Sequence, residues 1–144
     1  MKNIFKNIAF IALAIGFLSV NSCTDDLEIK NDYGFTVTHL PVPKRLKNGE
    51  TAEIRFELHR AGKYANSKYF VRQFQFDGNG ILTLDGQILK PNDSYELQNE
   101  TFRMYYTSQC EEQQSFNLTF YDNFRNKVEL PFSFSHQADN KESK

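Results

Sequence analysis

The sequence predicts an all-β protein built as an antiparallel β-sandwich, and three observations support this. Apolar and polar residues alternate with a period of two along most of the chain. Turn-forming pairs separate the alternating stretches at intervals of about a dozen residues. No long segment carries an apolar stripe at helical spacing, and there is no internal repeat.

The clearest strand runs from Ala52 to His59, where Ala, Ile, Phe and Leu alternate with charged or polar residues. This is the pattern of a strand with one face in the core and one in solvent. Weaker alternation predicts further strands at Phe35 to Thr38, Tyr69 to Phe76, Ile81 to Leu84, Gln87 to Leu89, Phe102 to Thr107, Ser115 to Tyr121 and Val128 to Phe134.

Residue pairs that favour hairpin turns lie between these strands, because Gly and Asn tolerate positive φ and Asp and Asn cap turns. They are Asn48-Gly49, Asp77-Gly78-Asn79-Gly80, Asp85-Gly86, Pro91-Asn92-Asp93 and Asp122-Asn123. About seven short strands with such spacing predict an immunoglobulin-like sandwich. The chain has no Trp and lacks the Cys, Trp, Cys signature of antibody domains, so we expect its 14 phenylalanines to fill the layer between the sheets.

The N-terminus has the features of a bacterial lipoprotein signal peptide. Lys2 and Lys6 precede an apolar run from Ile8 to Val20, which is shorter than the ~20 residues of a membrane-spanning helix. The run ends at Asn21-Ser22-Cys23, which is similar to a lipobox. We therefore predict cleavage of a signal peptide covering residues 1–22, with lipidation of Cys23.

Lipidation would anchor the mature chain to the cell envelope, since each buried methylene contributes about 0.8 kcal/mol. We expect the outer membrane, with the protein facing either the periplasm or the cell surface. The predicted organisation is a polar tether at 23–32, a β-sandwich at 33–136 and a disordered tail at 137–144. With Cys23 acylated, Cys110 is the only remaining thiol, so no intrachain disulfide can form and we expect Cys110 to be passive.

Charge and motif content argue against several classes of function. Removing Lys2 and Lys6 leaves 15 basic and 18 acidic side chains, a net charge of −3 that does not favour nucleic-acid binding. The acidic residues are concentrated after residue 72, which usually reflects only a solvated surface and less often a partner. His39, His59 and His136 do not have the spacing of metal ligands.

No nucleophile, phosphate-binding or dinucleotide motif is present. Asp77-Gly78-Asn79-Gly80 begins like a calcium loop but lacks its later ligands, so we interpret it as a hairpin turn. The sequence therefore predicts a protein that is not an enzyme, with no catalytic residues, metal, cofactor or small-molecule substrate.

Two clusters are candidates for protein binding. Lys44, Arg45 and Lys47 follow Pro41-Val42-Pro43, which predicts a basic loop at a sheet edge. Such a loop could bind an acidic partner or lipid headgroups. Alternatively, its lysines only protect the edge from aggregation.

The second cluster is Phe102 to Tyr106, where alternation places Arg103 and Tyr105 on the face opposite the core. Arg and Tyr are enriched among the residues that dominate interface affinity. An ordinary solvated strand face would show the same pattern.

Many short motifs occur in order along the chain: Cys23, Phe35-Thr36-Val37, Pro41-Val42-Pro43-Lys44-Arg45-Leu46, Gly49-Glu50, Glu53-Ile54-Arg55, Phe74-Gln75, Asp77-Gly78, Pro91-Asn92-Asp93, Tyr105-Tyr106-Thr107-Ser108, Asp122-Asn123-Phe124 and Phe132-Ser133-Phe134. Taken together, they resemble the TraQ-like lipoprotein family encoded by conjugative transposons of gut anaerobes. The resemblance implies an immunoglobulin-like sandwich and membership of the conjugative transfer machinery, without a catalytic site. One departure is Arg125, where the family pattern leads us to expect Gly.

These observations lead to two functional hypotheses. The first is an envelope-anchored, non-catalytic accessory or scaffold that binds other proteins of the conjugative transfer apparatus. The second is a surface glycan-binding or adhesin-type lipoprotein, which would need exposed aromatic platforms. Without Trp, that role would fall to Tyr64, Tyr69 and Tyr121.

Overall fold

The structure is a computed structural model that describes residues 33–62 and 65–138, which belong to one compact unit. The predicted signal peptide, the tether with Cys23, Tyr64 and residues 139–144 of the predicted tail lie outside the described residues. Ten strands form within the described ranges, and no helix there is long and apolar enough to cross a membrane. The strands are β1 (Phe35–His39), β2 (Arg45–Leu46), β3 (Thr51–Arg60), β4 (Tyr69–Asp77), β5 (Gly80–Leu84), β6 (Gln87–Ile88), β7 (Tyr95–Glu96), β8 (Thr101–Ser108), β9 (Gln114–Asp122) and β10 (Lys127–His136).

The strands form two five-stranded sheets that pack face to face. The first sheet has the order β1-β3-β8-β5-β6 and the second the order β2-β10-β9-β4-β7. Neighbouring strands are antiparallel except β2 and β10, which are parallel. The predicted all-β sandwich is therefore confirmed.

The seven strands of five or more residues also have the immunoglobulin order. Lettered A to G along the chain, they are β1, β3, β4, β5, β8, β9 and β10. This lettering gives A-B-E-D in the first sheet and C-F-G in the second, as in an immunoglobulin constant-type domain. The prediction of about seven strands holds for the long strands of the described residues, and β2, β6 and β7 are two-residue additions at the sheet edges.

The turn signals predict where the chain reverses, but they do not predict which sheet the next strand joins. Asp85-Gly86 makes the β5–β6 hairpin, with φ of 49° and 79°, and Asp122-Asn123 begins the β9–β10 hairpin. The interpretation of Asp77 to Gly80 as a hairpin turn is wrong, because it carries the chain from β4 in the second sheet to β5 in the first. Asn48-Gly49 and Pro91-Asn92-Asp93 also connect the two sheets.

Aromatic rings fill the space between the sheets. Phe56 on β3 lies 5.5 Å from Phe120 on β9, ring centroid to centroid, and Phe116 stacks on Phe132 at 5.3 Å. Because β3 and β9 are strands B and F, the Phe56–Phe120 contact joins the same two strands as the disulfide of antibody domains. The expectation that all 14 phenylalanines fill this layer is wrong, since Phe5, Phe10 and Phe17 belong to the predicted signal peptide and Phe74 and Phe76 are exposed.

A chain of buried hydrogen bonds crosses one end of the core. The Tyr106 hydroxyl accepts a bond from Gln75 Nε2 at 2.8 Å and donates to Gln114 Oε1 at 2.9 Å. Gln114 Nε2 donates in turn to Ser108 Oγ at 2.8 Å. Burial raises the pKa of Tyr106, and the Gln75 hydrogen bond partly offsets this. Gly80 admits the hydroxyl, because a Cβ at that position would overlap the Tyr106 oxygen.

The β9–β10 turn explains the departure at Arg125. Asp122 Oδ1 accepts hydrogen bonds from the backbone N–H groups of Phe124 and Asn126, both at 2.9 Å. Arg125 has φ of +76°, a left-handed conformation that Gly adopts without steric cost. The turn therefore keeps the geometry that a glycine would favour, although an arginine occupies the position.

Candidate functional site

The outer face of the first sheet carries one of the two predicted clusters. On β8, Phe102, Met104 and Tyr106 are buried, while Arg103 and Tyr105 point outward and are exposed. Across the ladder, Arg103 lies opposite Arg55 and Tyr105 lies opposite Glu53 on β3. We call these four outward residues, Glu53, Arg55, Arg103 and Tyr105, the arginine–tyrosine surface.

Glu53 organises the charges of this surface. Arg55 Nε donates to Glu53 Oε1 at 2.7 Å, and Arg103 Nη1 lies 3.3 Å from the same oxygen. The Arg55 hydrogen bond lowers the pKa of Glu53, and the same contact raises the pKa of Arg55. Two like charges directly opposite each other on neighbouring strands are unfavourable, so the shared carboxylate stabilises their arrangement.

An open groove of about 350 Å³ borders the two arginines. Its other walls include Leu40, which is 56% exposed, and the side of β1 at Thr38. Glu57 also lines the groove and lies 3.7 Å from His59. The groove is therefore lined by hydrogen-bond donors and by an apolar wall.

The second predicted cluster lies on the other sheet. Arg45 and Leu46 form the edge strand β2, and Leu46 is fully buried while Lys44, Arg45 and Lys47 are exposed. The prediction of a basic loop is therefore wrong at Arg45 and Leu46, because the buried Leu46 side chain allows a short parallel pairing with β10. The edge position is as predicted.

The five predicted partner-binding residues thus lie in two separate places. Arg103 and Tyr105 lie on a central strand of the first sheet, and Lys44, Arg45 and Lys47 lie at or beside the edge strand of the second. The Lys47 backbone N–H donates to Glu50 Oε2 at 2.8 Å, which holds the turn into β3.

An exposed aromatic pair lies on β4, where the sequence does not predict it. Phe74 and Phe76 are 44% and 61% exposed, with ring centroids 4.9 Å apart and the rings inclined at 65°. On the inner face of the same strand, Gln73 is 5% exposed and Gln75 is half-buried. Alternation alone favours the opposite orientation for this half of β4, and no sequence signal reveals the internal partners of the glutamines.

Within residues 33–62 and 65–138, no group of three or more His, Cys, Asp or Glu side chains could hold a metal ion. Cys110 is a free thiol whose Sγ accepts a bond from the Asn79 N–H at 3.2 Å. Of the tyrosines proposed as glycan platforms, Tyr69 is buried and Tyr121 is half-buried, stacked on Phe70 at 5.5 Å.

Comparisons with solved structures find close matches among proteins of Bacteroides. A conjugative transposon lipoprotein from Bacteroides eggerthii is 45% identical and has a TM-score of 0.68, covering 72% of this chain and 98% of that one. A lipoprotein from Bacteroides thetaiotaomicron is 49% identical, also with a TM-score of 0.68, covering 82% and 92%. A conjugate transposon protein from Bacteroides vulgatus is 38% identical, with a TM-score of 0.65, covering 83% and 97%.

Comparison with curated proteins gives no match. A family model described as TraQ conjugal transfer protein matches residues 6–137, which is most of the chain. This match agrees with the resemblance carried by the short motifs. The chain therefore belongs to the TraQ conjugal transfer protein family.

Proposed function

We propose that the protein is a lipid-anchored, non-catalytic accessory or scaffold component of the conjugative transfer apparatus. Family membership supports a role in conjugative transfer. Two similar structures are described as lipoproteins, which agrees with the lipobox-like sequence at Cys23. In this proposal Cys23 carries the acyl anchor, the chain resides in the outer membrane, and the sandwich binds proteins of the apparatus.

The observation that carries the binding role is the outward position of Arg103 and Tyr105 on a central strand of the first sheet. Arg and Tyr contribute disproportionately to interface affinity, particularly near the centre of a contact. The hydrogen bond and ion pair at Glu53 hold the two arginines in place before a partner arrives. A surface organised in this way loses less side-chain entropy on binding.

The basic edge formed by Lys44, Arg45 and Lys47 provides a second contact in this proposal. Exposed charges at an interface rim mainly increase the association rate of an oppositely charged partner. We expect an acidic partner surface at this edge, and lysines there also discourage unwanted strand pairing.

Deletion of the gene in a donor strain tests the role in transfer. We expect the number of transconjugants per donor to fall and wild-type complementation to restore it. A Cys23→Ala variant should lose incorporation of radiolabelled palmitate and restore transfer poorly. Unchanged mating frequency in the deletion strain would rule out a required role in the apparatus.

Surface variants then locate the contact. Arg103→Ala/Tyr105→Ala should complement the deletion poorly, whereas the control Arg60→Ala should complement fully. Arg60 is a suitable control because it also pairs with one glutamate, Glu100, at 2.7 Å. Lys44→Glu/Arg45→Glu tests the basic edge, and immunoblots of membrane fractions confirm that each variant reaches the envelope. Full complementation by both surface variants would contradict this assignment.

The alternative function, glycan binding, is favoured by the exposed Phe74 and Phe76 rings. A sugar ring stacks on a flat aromatic face, and the 65° angle between these rings does not form one continuous platform. Binding to immobilised bacterial polysaccharide discriminates between the two functions. If the polysaccharide retains the wild-type protein and Phe74→Ser/Phe76→Ser abolishes this retention, the glycan role is supported. The apparatus role predicts that the wild-type protein is not retained.

A further inference from the structure

We propose that one end of the second sheet is a docking surface for a basic, partly apolar segment of a protein partner. This surface consists of Phe74, Phe76, Asp77, Glu111 and Glu112, and we call it the aromatic–acidic surface. It lies on a different sheet from the arginine–tyrosine surface and differs in composition from the basic edge. A protein with such distinct surfaces can contact more than one partner, as a scaffold must.

The outward position of the two rings is fixed by the inner face of β4. Gln73 Nε2 donates to the Leu89 carbonyl at 2.9 Å, and Gln75 Nε2 donates to the Tyr106 hydroxyl at 2.8 Å. Shifting the strand by one residue would bury the rings but would expose Val71 and break both hydrogen bonds. The rings are therefore exposed as a consequence of the strand register.

A β-bulge adjusts the direction of the second ring. Gln75 lies opposite Phe116 and Asp77 lies opposite Ser115, so Phe76 is an extra residue with no partner on β9. Bulges of this kind redirect side chains at sheet edges and binding sites. The Asp77 Oδ2 atom accepts a hydrogen bond from Ser115 Oγ at 2.7 Å, which fixes the strand directly after the bulge.

The β8–β9 turn packs against the turn that follows β4 and brings further carboxylates to the same end of the sandwich. The Asn79 N–H donates to Cys110 Sγ at 3.2 Å, and the Gln109 N–H donates to the Asn79 carbonyl at 2.9 Å. Glu111 and Glu112 follow directly in that turn, and both are exposed.

Charge complementarity identifies the occupant. Asp77, Glu111 and Glu112 form no ion pair with any other residue that the structure describes. Lysine or arginine side chains would form ion pairs with these carboxylates. They could also form cation–π interactions with the faces of Phe74 and Phe76. Apolar side chains of the same segment would cover the ring edges. Acidic segments and anionic lipid headgroups would be repelled.

The test uses the full chain, purified in detergent, and fluorescence anisotropy of a labelled peptide that alternates lysine with leucine. We expect salt-sensitive binding. Phe74→Ser/Phe76→Ser and, separately, Glu111→Gln/Glu112→Gln should each weaken it by about tenfold. The control is Ile88→Ser, since Ile88 is similarly exposed, at 57%, but lies on the first sheet. Circular dichroism confirms that every variant folds.

Three results would overturn the proposal. One is equal binding of a peptide that alternates glutamate with leucine, because this would show that charge does not select the occupant. Another is an equal loss of binding in Ile88→Ser. The third is self-association of the chain that Phe74→Ser/Phe76→Ser abolishes, which would assign the surface to a second copy. Mating frequency is not part of this test, so its result does not depend on the role in transfer.

Discussion

The strands β3 and β4 are consecutive in the chain, but they place their apolar residues differently. On β3, Ile54 and Phe56 enter the core, and Glu53 and Arg55 remain in solvent. At the end of β4 the rings of Phe74 and Phe76 are outside, and glutamines occupy the inner face. Phe74 and Phe76 lie beyond the pairing of β4 with β7, which involves only Phe70 and Val71. Ile54 lies beyond the pairing of β3 with β1 in the same way, so pairing on one side alone does not account for the difference.

The difference shows what decides the orientation of a strand. A polar side chain can be buried at little cost when it finds hydrogen-bond partners, and an orphaned one costs several kcal/mol, on the order of 2–7. The inward glutamines of β4 have such partners, in the Leu89 carbonyl and the Tyr106 hydroxyl. Because the rings of Phe74 and Phe76 are exposed, replacing them should cost little stability.

The largest expected effect is on the free energy of unfolding, when a phenylalanine on β3 and one on β4 are each replaced by alanine. Phe56 is 3% exposed and contacts the rings of Phe102 and Phe120, so Phe56→Ala should lower the free energy of unfolding by about 3–5 kcal/mol. Phe74→Ala should lower it by about 0.5 kcal/mol or less, as is usual for surface positions. Urea denaturation measures both values. Similar losses would show that Phe74 belongs to the core.

A smaller effect is expected at Gly80, which leaves space for the Tyr106 hydroxyl, the acceptor of the Gln75 hydrogen bond. The added methyl of Gly80→Ala would overlap this oxygen and should lower the free energy of unfolding by about 1–3 kcal/mol. Gly34→Ala is the matched control, because no atom of the described residues, apart from Gly34 itself and its chain neighbours, lies within 4 Å of the place that its added methyl would occupy. Equal stability of the two variants in thermal unfolding would contradict the close contact.

Removing the hydroxyl itself tests the partner of Gln75 directly. Tyr106→Phe leaves Gln75 Nε2 and Gln114 Oε1 each without this partner, and we expect a loss of about 1–2 kcal/mol in the free energy of unfolding. Tyr105→Phe, on the same strand but facing outward, should change it by about 0.5 kcal/mol or less. If both variants are equally stable, the buried network does not hold β4 in its orientation.

The smallest effect concerns the outer face of β3. The Arg55 hydrogen bond lowers the pKa of Glu53 in the folded state. The stability that this hydrogen bond contributes is therefore complete above pH 4.5, the ordinary pKa of glutamate. This stability is lost as the pH falls from 4.5 through the lower pKa of the folded state. Glu53→Gln should therefore remove a small part of the acid sensitivity of unfolding below pH 4.5. An identical pH dependence in wild type and Glu53→Gln would contradict this.

The sequence predicts the strands in which apolar and polar residues alternate regularly. Because their number and spacing are typical of an immunoglobulin-like sandwich, it also predicts the order of the long strands in the sheets. It also places Arg103 and Tyr105 outside, because their apolar neighbours Phe102 and Met104 are unambiguous. It fails at β2 and β7, since two-residue strands have no measurable period. It fails again at Phe74 and Phe76, because their position depends on hydrogen bonds to residues distant in sequence.

Complementation of the deletion strain with Phe74→Ser/Phe76→Ser tests most directly the claim that the inverted end of β4 is exposed for binding. We expect normal folding and envelope levels, but transconjugants per donor reduced at least about tenfold relative to wild type. Ile88→Ser should restore transfer fully. Wild-type transfer by Phe74→Ser/Phe76→Ser would contradict the claim, since the exposed rings would then have no role in conjugation.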